Sequence, residues 1–256
     1  MGNDLTSSEL LPARGPPHDR LRPLRYFFPG MVAFAVVLIL LGFGPEVQKF
    51  ATGTFPIPWV LHVHAAIMMT WVASFAVQAW LGATGRTTLH RRTGNYAIAL
   101  GWLACASMVF VEFRMFVAHP QLRTPDDLDW QLPGPFIYLT FGAFLAWGYL
   151  ERHRPQWHKR LMTFALFLSL EAAIQRFVWI PMDYGFGPFM LALNLCLLTP
   201  LFAYDLRTLG GRLHPATLRG MTLLLSAEVL LLLAWGSAAW RHLALAMADR
   251  LHGLAF

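Results

Sequence analysis

Apolar residues in this chain are gathered into runs of about 15 to 25, separated by short polar stretches rich in Arg, Pro and Gly. A helix rises about 1.5 Å per residue and needs roughly 20 apolar residues to cross a bilayer core. The pattern therefore predicts an all-α, polytopic transmembrane helix bundle of about seven spans. The predicted spans are residues 26–44, 59–81, 94–117, 136–150, 161–180, 186–204 and 221–240.

The fourth run, residues 136–150, is the shortest of the seven. As a helix it reaches only about 22 Å, whereas the hydrocarbon core is about 30 Å thick. A start near Trp130 would lengthen it, because Pro133 and Pro135 are tolerated in a first helical turn. We keep this run as a span.

The positions of Lys and Arg predict the orientation, because cytoplasmic loops of membrane proteins collect these residues. A cytoplasmic N-terminus places fourteen of the twenty on the cytoplasmic side: Arg14, Arg20, Arg22, Arg25, Arg86, Arg91, Arg92, Arg152, Arg154, Lys159, Arg160, Arg207, Arg212 and Arg219. If residues 136–150 failed to span, every later loop would change sides and this bias would disappear. The sequence thus predicts a cytoplasmic N-terminus and a multi-pass protein of the bacterial inner membrane.

Composition agrees with a bilayer as the solvent. Apolar residues make up 56% of the chain and charged residues 13%, against roughly 45–50% and 25% in soluble domains. The net charge of +6 lies in the short loops that orient a membrane protein, so it does not indicate nucleic-acid binding. We predict the lipid bilayer as the main partner, and other membrane proteins as further partners.

The chain is predicted to form one membrane domain with two short flanks. Residues 1–25 are polar and Pro-rich, without the apolar stretch and cleavage site of a signal peptide, and indicate a retained cytoplasmic tail. Residues 26–240 form the seven-span domain, and residues 241–256 form a short C-terminal tail.

Three similar phrases begin the third, fifth and seventh predicted helices at the cytoplasmic level: LHRRTG at 89–94, WHKRLM at 157–162 and LHPAT at 213–217. Their imidazoles, from His90, His158 and His214, would suit a divalent metal, with Asp205 as an oxygen ligand.

The cations beside these histidines suggest a second interpretation. Arg91, Arg92, Lys159 and Arg160 lie at helix starts, where backbone N–H groups also favour an anion such as a lipid phosphate or a haem propionate. A third interpretation assigns no ligand, because Arg, Lys, His and Trp are ordinary anchors at headgroup level. The sequence leaves all three interpretations open.

A second layer of histidines lies near the outer side. His62 and His64 are two residues apart, which is about 200° around a regular helix, so they cannot face the same partner. One of them is expected to face inward. His62 shares its stripe with Ala65, Ala66 and Ala73, which would let a helix or a flat cofactor approach.

Ionisable side chains at membrane depth form the rest of the outer layer, and each is costly unless it is paired. Glu112 and Arg114 lie late in the third run, whereas Glu171 and Arg176 lie in the outer half of the fifth. We expect Glu171 or Glu112 to form an ion pair. Its partner would be Arg176 or Arg114.

Glu228 stands nearly alone about 12 Å into the seventh run. It is predicted to be either a protonated acid packed against another helix or a proton-handling group. Asn194 and Gln78 are the candidate partners for its carboxyl group.

The phrases also carry a resemblance that covers roughly residues 58–220. The Leu-His-Arg-Arg-Thr-Gly, His-Lys-Arg-Leu-Met and Gly-Arg-Leu-His-Pro-Ala segments, with Trp71, Gln78, Arg176 and Asp205, resemble a group of bacterial multi-span membrane proteins without an established activity. The nearest functional relatives in style are the small di-haem membrane cytochromes b. The resemblance implies haem ligation by histidine pairs on neighbouring helices.

The chain departs from those cytochromes in the spacing of its histidines. Two-haem members carry histidines about 13 or 14 residues apart on one helix, but 14 residues after His62, His64 and His158 stand Ala76, Gln78 and Ala172. At most one haem b is therefore implied. Its ligands would be His62 or His64 with His119 or His242, or two of His90, His158 and His214.

Three functions follow from these patterns. The first is a redox or metal-dependent membrane protein with a histidine-lined site that holds haem b or a divalent metal. The second is an accessory subunit of a membrane complex without chemistry of its own. The third is a small-solute or proton-coupled transporter that uses Glu228, Glu171 and Arg176.

Overall fold

A computed structural model describes residues 23–53, 58–119, 123–177 and 186–252, and throughout these ranges the regular elements are helices, without a strand. Two 3-10 turns, Pro23–Tyr26 and Glu151–His153, accompany the α-helices. The α-helices are α1 Phe27–Ala51, α2 Trp59–Ala83, α3 Thr87–Ala118, α4 Pro125–Gln131, α5 Pro133–Leu150, α6 Pro155–Leu168, α7 Glu171–Ile174, α8 Phe186–Thr208, α9 Pro215–Ala234 and α10 Ala238–His252.

Four helical segments of the described chain are long and apolar enough to cross a membrane: Leu24–Lys49, Trp59–Ala83, Thr87–Ala118 and Pro215–Ala234. Large apolar side chains such as Leu40, Leu139 and Leu233 are exposed on the surface of the bundle. An exposed apolar surface of this kind suits lipid contact. The fold is therefore compatible with an integral membrane protein.

The core is centred on α6. Every residue from Arg160 to Leu168 is buried, as expected for a helix that other helices surround on all sides. The Phe164 ring stacks on Phe144 of α5 with ring centroids 4.9 Å apart. Gly220 of α9 lets that helix approach closely, since an added Cβ would lie 2.6 Å from the Phe164 ring.

The fifth predicted span, residues 161–180, differs from a continuous helix. α6 ends at Leu168, and two of the backbone hydrogen bonds that follow run over three residues: Leu170 N–H donates to Phe167 O at 3.1 Å and Ala173 N–H to Leu170 O at 2.8 Å. α7 then covers only Glu171–Ile174. Such a 3-10 interruption inside a helix is a local break. Residues 178–180 of the predicted span lie outside the described residues.

The seventh predicted span, residues 221–240, is also interrupted. α9 ends at Ala234, and Gly236 follows with φ of +73°, a conformation that favours glycine. Most of the predicted C-terminal tail belongs to α10, which packs against α4. There the indole N–H of Trp240 donates to the carbonyl oxygen of Leu128 at 2.7 Å.

The two ends of the bundle carry different chemistry. We call the end that holds His90, His158 and His214 the histidine end. The start of α1 joins it, since the Phe27 ring stacks on Tyr204 near the end of α8 with centroids 4.3 Å apart. The opposite end carries α4, α7 and α10.

Candidate functional site

His90 and His158 occupy the same position in two helical hairpins. Each is the fourth residue of its helix, α3 or α6. His90 Nδ1 lies 3.2 Å from the carbonyl oxygen of Gln78 on α2, and His158 Nδ1 lies 2.8 Å from that of Gly148 on α5. Because a carbonyl oxygen only accepts, Nδ1 is the donor in both bonds. In a neutral imidazole this leaves the lone pair on Nε2.

The two imidazoles lie beside one another. Their ring centroids are 6.1 Å apart, and their planes are inclined by 78°. Burial lowers the pKa of His158, although its bond to the Gly148 carbonyl opposes the change. His158 therefore favours the neutral form, whose Nε2 can act as a ligand.

His214 does not join this pair. Its Nδ1 accepts a hydrogen bond at 3.0 Å from the backbone N–H of Ala216 as the N-cap of α9, and its ring lies 5.8 Å from that of Trp157. In the described ranges no group of three or more His, Cys, Asp or Glu side chains is placed to hold a metal ion. The predicted metal site of His90, His158, His214 and Asp205 is not formed there, because Asp205 is engaged elsewhere.

Asp205 belongs to a buried polar network. Its Oδ1 accepts from Arg160 Nε at 2.9 Å and from Nη2 at 2.5 Å, and its Oδ2 accepts from Thr217 Oγ1 at 2.6 Å and from His214 N–H at 3.0 Å. Arg160 Nη1 donates to the backbone and side-chain oxygens of Gln156, both at 2.8 Å. The network ties α6, α8 and α9 together. The guanidinium of Arg160, a predicted anion contact, is buried and donates to Asp205 and Gln156 within the protein.

The other predicted anion contacts differ in availability. Arg91 and Arg92 are exposed. Lys159 is half-buried; its Nζ donates to the Tyr204 hydroxyl at 3.1 Å and lies 4.6 Å from the centre of the Phe28 ring. Burial, together with the neighbouring Arg160, lowers the pKa of Lys159 to about 8.

Near the opposite end, His64 faces the bundle and His62 does not. His64 Nδ1 lies 3.0 Å from Ser107 Oγ on α3, whereas His62 is exposed. One of the two histidines therefore faces inward, as expected, and it is His64, because Ser107 provides its polar partner on α3. His119 Nδ1 lies 2.8 Å from the carbonyl oxygen of Met115 in its own helix, and His242 is exposed. The described contacts therefore do not bring His119 or His242 together with His62 or His64 as an outer haem site.

Arg176, one of the two predicted partners of the outer glutamates, makes other contacts. Arg176 donates to the Ala172 carbonyl, lies over the Phe43 ring of α1 at 4.6 Å and has Glu46 of α1 as its acidic neighbour. The Glu112 carboxylate instead lies against Gly134 at the start of α5, where an added Cβ would overlap it. Arg176 is thus directed towards α1 rather than towards Glu171.

Glu171 and Glu228 are both buried. Glu228 Oε1 accepts a hydrogen bond from Asn194 Nδ2 of α8 at 3.1 Å. This confirms Asn194 as a partner of Glu228. Gln78, the alternative partner, lies at the histidine end, where its Nε2 donates to Thr93 Oγ1 at 2.7 Å.

Comparisons with known proteins give no match: no protein-family model, no curated protein and no solved structure is similar to this chain. Fold and composition define the class as a helical protein whose described residues include four apolar helices that suit a bilayer.

Proposed function

We propose that the protein is a seven-span membrane protein of the bacterial inner membrane that binds one haem b through His90 and His158 at its cytoplasmic side. The observation that carries the proposal is the adjacent pair of imidazoles, each fixed by an Nδ1–H to carbonyl hydrogen bond. That bond orients the ring and leaves Nε2 as the ligand atom, which is the arrangement of metal-binding histidines.

The number of ligands favours haem over a free metal ion. A zinc site usually takes three or four protein ligands, whereas the described histidine pair offers two. Haem brings four nitrogen ligands of its own and needs protein groups only at its axial positions. Two imidazoles that bind one ion at about 2.0–2.1 Å from opposite sides would have ring centres roughly 6.4 Å apart, close to the 6.1 Å between His90 and His158.

The neighbouring cations support the same proposal. Arg91 and Arg92 follow His90 directly and are exposed, so they are available to haem propionates. Lys159 follows His158 and is held between Phe28 and Tyr204.

Haem supplies one-electron chemistry when it is bound. The residues of the chain hold and orient it. The Gln78 and Gly148 carbonyls set the tautomer of the two ligands, and burial keeps His158 neutral. Both ligands sit on the first turns of long helices, which fixes their separation more firmly than loops would.

The test is a dithionite-reduced minus oxidised absorption spectrum of the detergent-purified protein from haem-replete cells. The wild-type protein is expected to show the α-band of b-type haem, and His90→Ala and His158→Ala are each expected to lose it. His153→Ala, which removes an exposed histidine, and His214→Ala are the matched controls and should keep the band. A flat wild-type spectrum that persists on titration with hemin, or a full band in both ligand variants, contradicts the proposal.

The seven-span arrangement, with a cytoplasmic N-terminus, is tested separately by labelling single cysteines with a membrane-impermeant maleimide. The variants are Arg86→Cys and Arg212→Cys at the histidine end and Thr52→Cys and Ala239→Cys at the opposite end, in a Cys105→Ala/Cys196→Ala background. All four positions are exposed. We expect intact cells to label only Thr52→Cys and Ala239→Cys. Labelling of these two on different sides of the membrane would exclude seven spans.

A further inference from the structure

One edge of the Arg123 guanidinium is buried without a partner. Arg123 lies between the end of α3 and the start of α4, and its Nε and Nη2 atoms are both buried without a hydrogen-bond partner in the described part of the chain. These two nitrogens form a fork with which arginine holds carboxylates and phosphates. We propose that this fork binds a phosphate group, from a lipid headgroup or from free phosphate, at the end of the bundle opposite the histidine end. The proposal does not depend on haem binding.

The same edge of two other arginines holds a carboxylate. Arg160 donates from Nε and Nη2 to Asp205 at 2.9 and 2.5 Å. Arg241 donates from the same two atoms to Asp129 at 3.0 and 2.5 Å. In both pairs an oxyanion meets the edge that has no partner in Arg123. An oxyanion is therefore the kind of group that this fork is suited to bind.

The acidic side chains nearest in the chain do not pair with the fork. The Asp127 carboxylate accepts from the backbone N–H and from the hydroxyl of Thr124, at 3.1 and 2.5 Å, and caps the start of α4. Asp129 is paired with an arginine of α10, and Asp126 is exposed. These acids therefore leave the Nε and Nη2 atoms of Arg123 without a partner in the described chain.

The surroundings of the guanidinium are apolar. Its Cζ lies 5.5 Å from the centre of the Phe116 ring, and Phe116 packs with Leu128 of α4 and with Ala244 and Ala248 of α10 in one buried cluster. The aromatic ring attracts the charge, but none of these side chains offers an oxygen to the N–H groups. Since a guanidinium cannot lose its charge by deprotonation, burying its N–H groups unpaired is costly. An anion that binds the fork offsets this cost.

The position of Arg123 favours phosphate as that anion. Arg123 follows α3, which ends at Ala118 and is long and apolar enough to cross a membrane. Trp130 of α4 and Trp235, whose ring centroids are 5.5 Å apart, lie at the same end of the bundle, and tryptophan is enriched at the level of lipid headgroups. Phosphate is the oxyanion that lipids present at this level, and arginine binds it with the same fork as a carboxylate.

A phosphate can reach the fork because Arg123 lies in a connection rather than in a helix. The residue is half-buried, and a long arginine side chain can turn its charged end towards the headgroups while its stem stays on an apolar surface. A phosphate that meets the fork there accepts two charge-assisted hydrogen bonds. No covalent bond is made or broken, so binding is reversible and follows the phosphate concentration.

Melting temperatures of the delipidated protein in a neutral detergent test this proposal. A lipid site raises the wild-type melting temperature when phosphatidylglycerol is added, and a site for free phosphate raises it with inorganic phosphate, since a ligand of the folded state stabilises that state. Arg123→Met should abolish the shift. Arg123→Lys, which keeps the charge but not the fork, should bind roughly tenfold more weakly through loss of a charge-assisted hydrogen bond. Arg250→Met, which removes an exposed cation of α10, is the matched control and should keep the shift.

Two outcomes of the titrations would overturn the proposal: a wild-type melting temperature that responds to neither phosphatidylglycerol nor phosphate, or a shift of the same size in Arg123→Met. The wild-type titration needs no variant, so a folding failure cannot hide the result. Without ligand, Arg123→Met should melt no lower than the wild type, because it removes an unpaired buried cation. A clearly lower melting temperature of this variant would show that the fork has a partner within the protein, which also contradicts the proposal.

Discussion

The guanidinium of Arg160 and the carboxylate of Asp205 form an ion pair that is almost completely buried, with side chains 1% and 0% exposed. Arg160 donates twice to one carboxylate oxygen, at 2.9 and 2.5 Å. The other oxygen accepts from Thr217 and from the backbone of His214. Because every oxygen has a donor, the pair holds three helices together without leaving an uncompensated charge.

Removal of either partner should destabilise the protein strongly. We expect Arg160→Met or Asp205→Asn to lower the free energy of unfolding by about 3–5 kcal/mol, since each leaves the other group buried and unpaired. The double variant should lose less than the sum of the two. Thermal and denaturant unfolding in detergent, followed by tryptophan fluorescence, measures these differences.

The matched control for this pair is the exposed ion pair between Arg154 and Glu151, with atoms 3.2 Å apart. Glu151→Gln should change stability by less than about 1 kcal/mol. If Asp205→Asn were as mild as this control, the network would not be holding α6, α8 and α9 together.

A second prediction concerns the close approach of α1 to the helix break. Gly42→Ala would force its Cβ into the Ala173 carbonyl, whereas Gly30, near the start of α1, has open space around it. We expect Gly42→Ala to lower the melting temperature through overpacking of about 1–3 kcal/mol. Gly30→Ala should be neutral or stabilising by up to about 1 kcal/mol, because alanine favours the helix. Equal melting temperatures for the two variants would contradict the packing described for α1 and α7.

The apolar runs predicted the helices better than they predicted their ends. α2 begins at Trp59, as the sequence indicates, but α3 begins at Thr87, seven residues before the predicted span. The polar phrase around His90 continues the helix, because backbone hydrogen bonds do not depend on lipid contact. Hydropathy marks the part of a helix that suits the bilayer, and the helix itself extends beyond it.

The two interruptions could not be predicted with equal ease. Gly236 marks the end of α9 in the sequence, since glycine adopts the positive φ found there. Ser169 and Leu170 carry no such signal. The break at these residues coincides with tight packing of α1 at Ala173, a contact between segments far apart in the chain that local sequence does not encode.

The candidate site was predictable in part. The repeated phrases indicated that His90 and His158 lie at one level, and the structure brings their rings together. The sequence pattern alone could not show that Asp205 forms an ion pair with Arg160. The only indication was that the two opposite charges are predicted at the same membrane depth. Helical angles left His62 and His64 as alternatives, and only the position of Ser107 on α3 decides between them.

A third prediction uses the fact that Lys49 and Lys159 are the two lysines of the chain. Burial, with Arg160 beside it, lowers the pKa of Lys159 to about 8, so about half of this amine should be uncharged at pH 8. After reductive methylation with 13C-formaldehyde, the NMR signal of Lys159 should titrate near pH 8. The signal of Lys49, which is exposed and paired with Glu46, is the internal reference. Co-titration of both signals at the ordinary lysine pKa of about 10.4 would contradict the enclosed position of Lys159.

A final prediction concerns the attachment of α10 to α4. Arg241 Nε and Nη2 donate to the two carboxylate oxygens of Asp129 at 3.0 and 2.5 Å, and these bonds lower the pKa of Asp129 below its ordinary value. Since the pKa is lower in the folded state, the stabilisation is complete above the unfolded pKa of about 3.9. It is lost as the pH falls through the folded pKa.

Hydrogen exchange measures this attachment. At neutral pH, Asp129→Asn should exchange the backbone amides of α10 faster than the wild type does. Acidification below about pH 4 should bring the exchange of the wild type closer to that of the variant. Asp249→Asn, which changes an exposed acid on α10 itself, is the control and should leave the exchange unchanged. Because Trp240 also bonds to Leu128 at this contact, α10 should loosen in Asp129→Asn without detaching. Identical protection of α10 in the wild type and in Asp129→Asn would show that the Trp240 bond and apolar packing alone hold the helix in place.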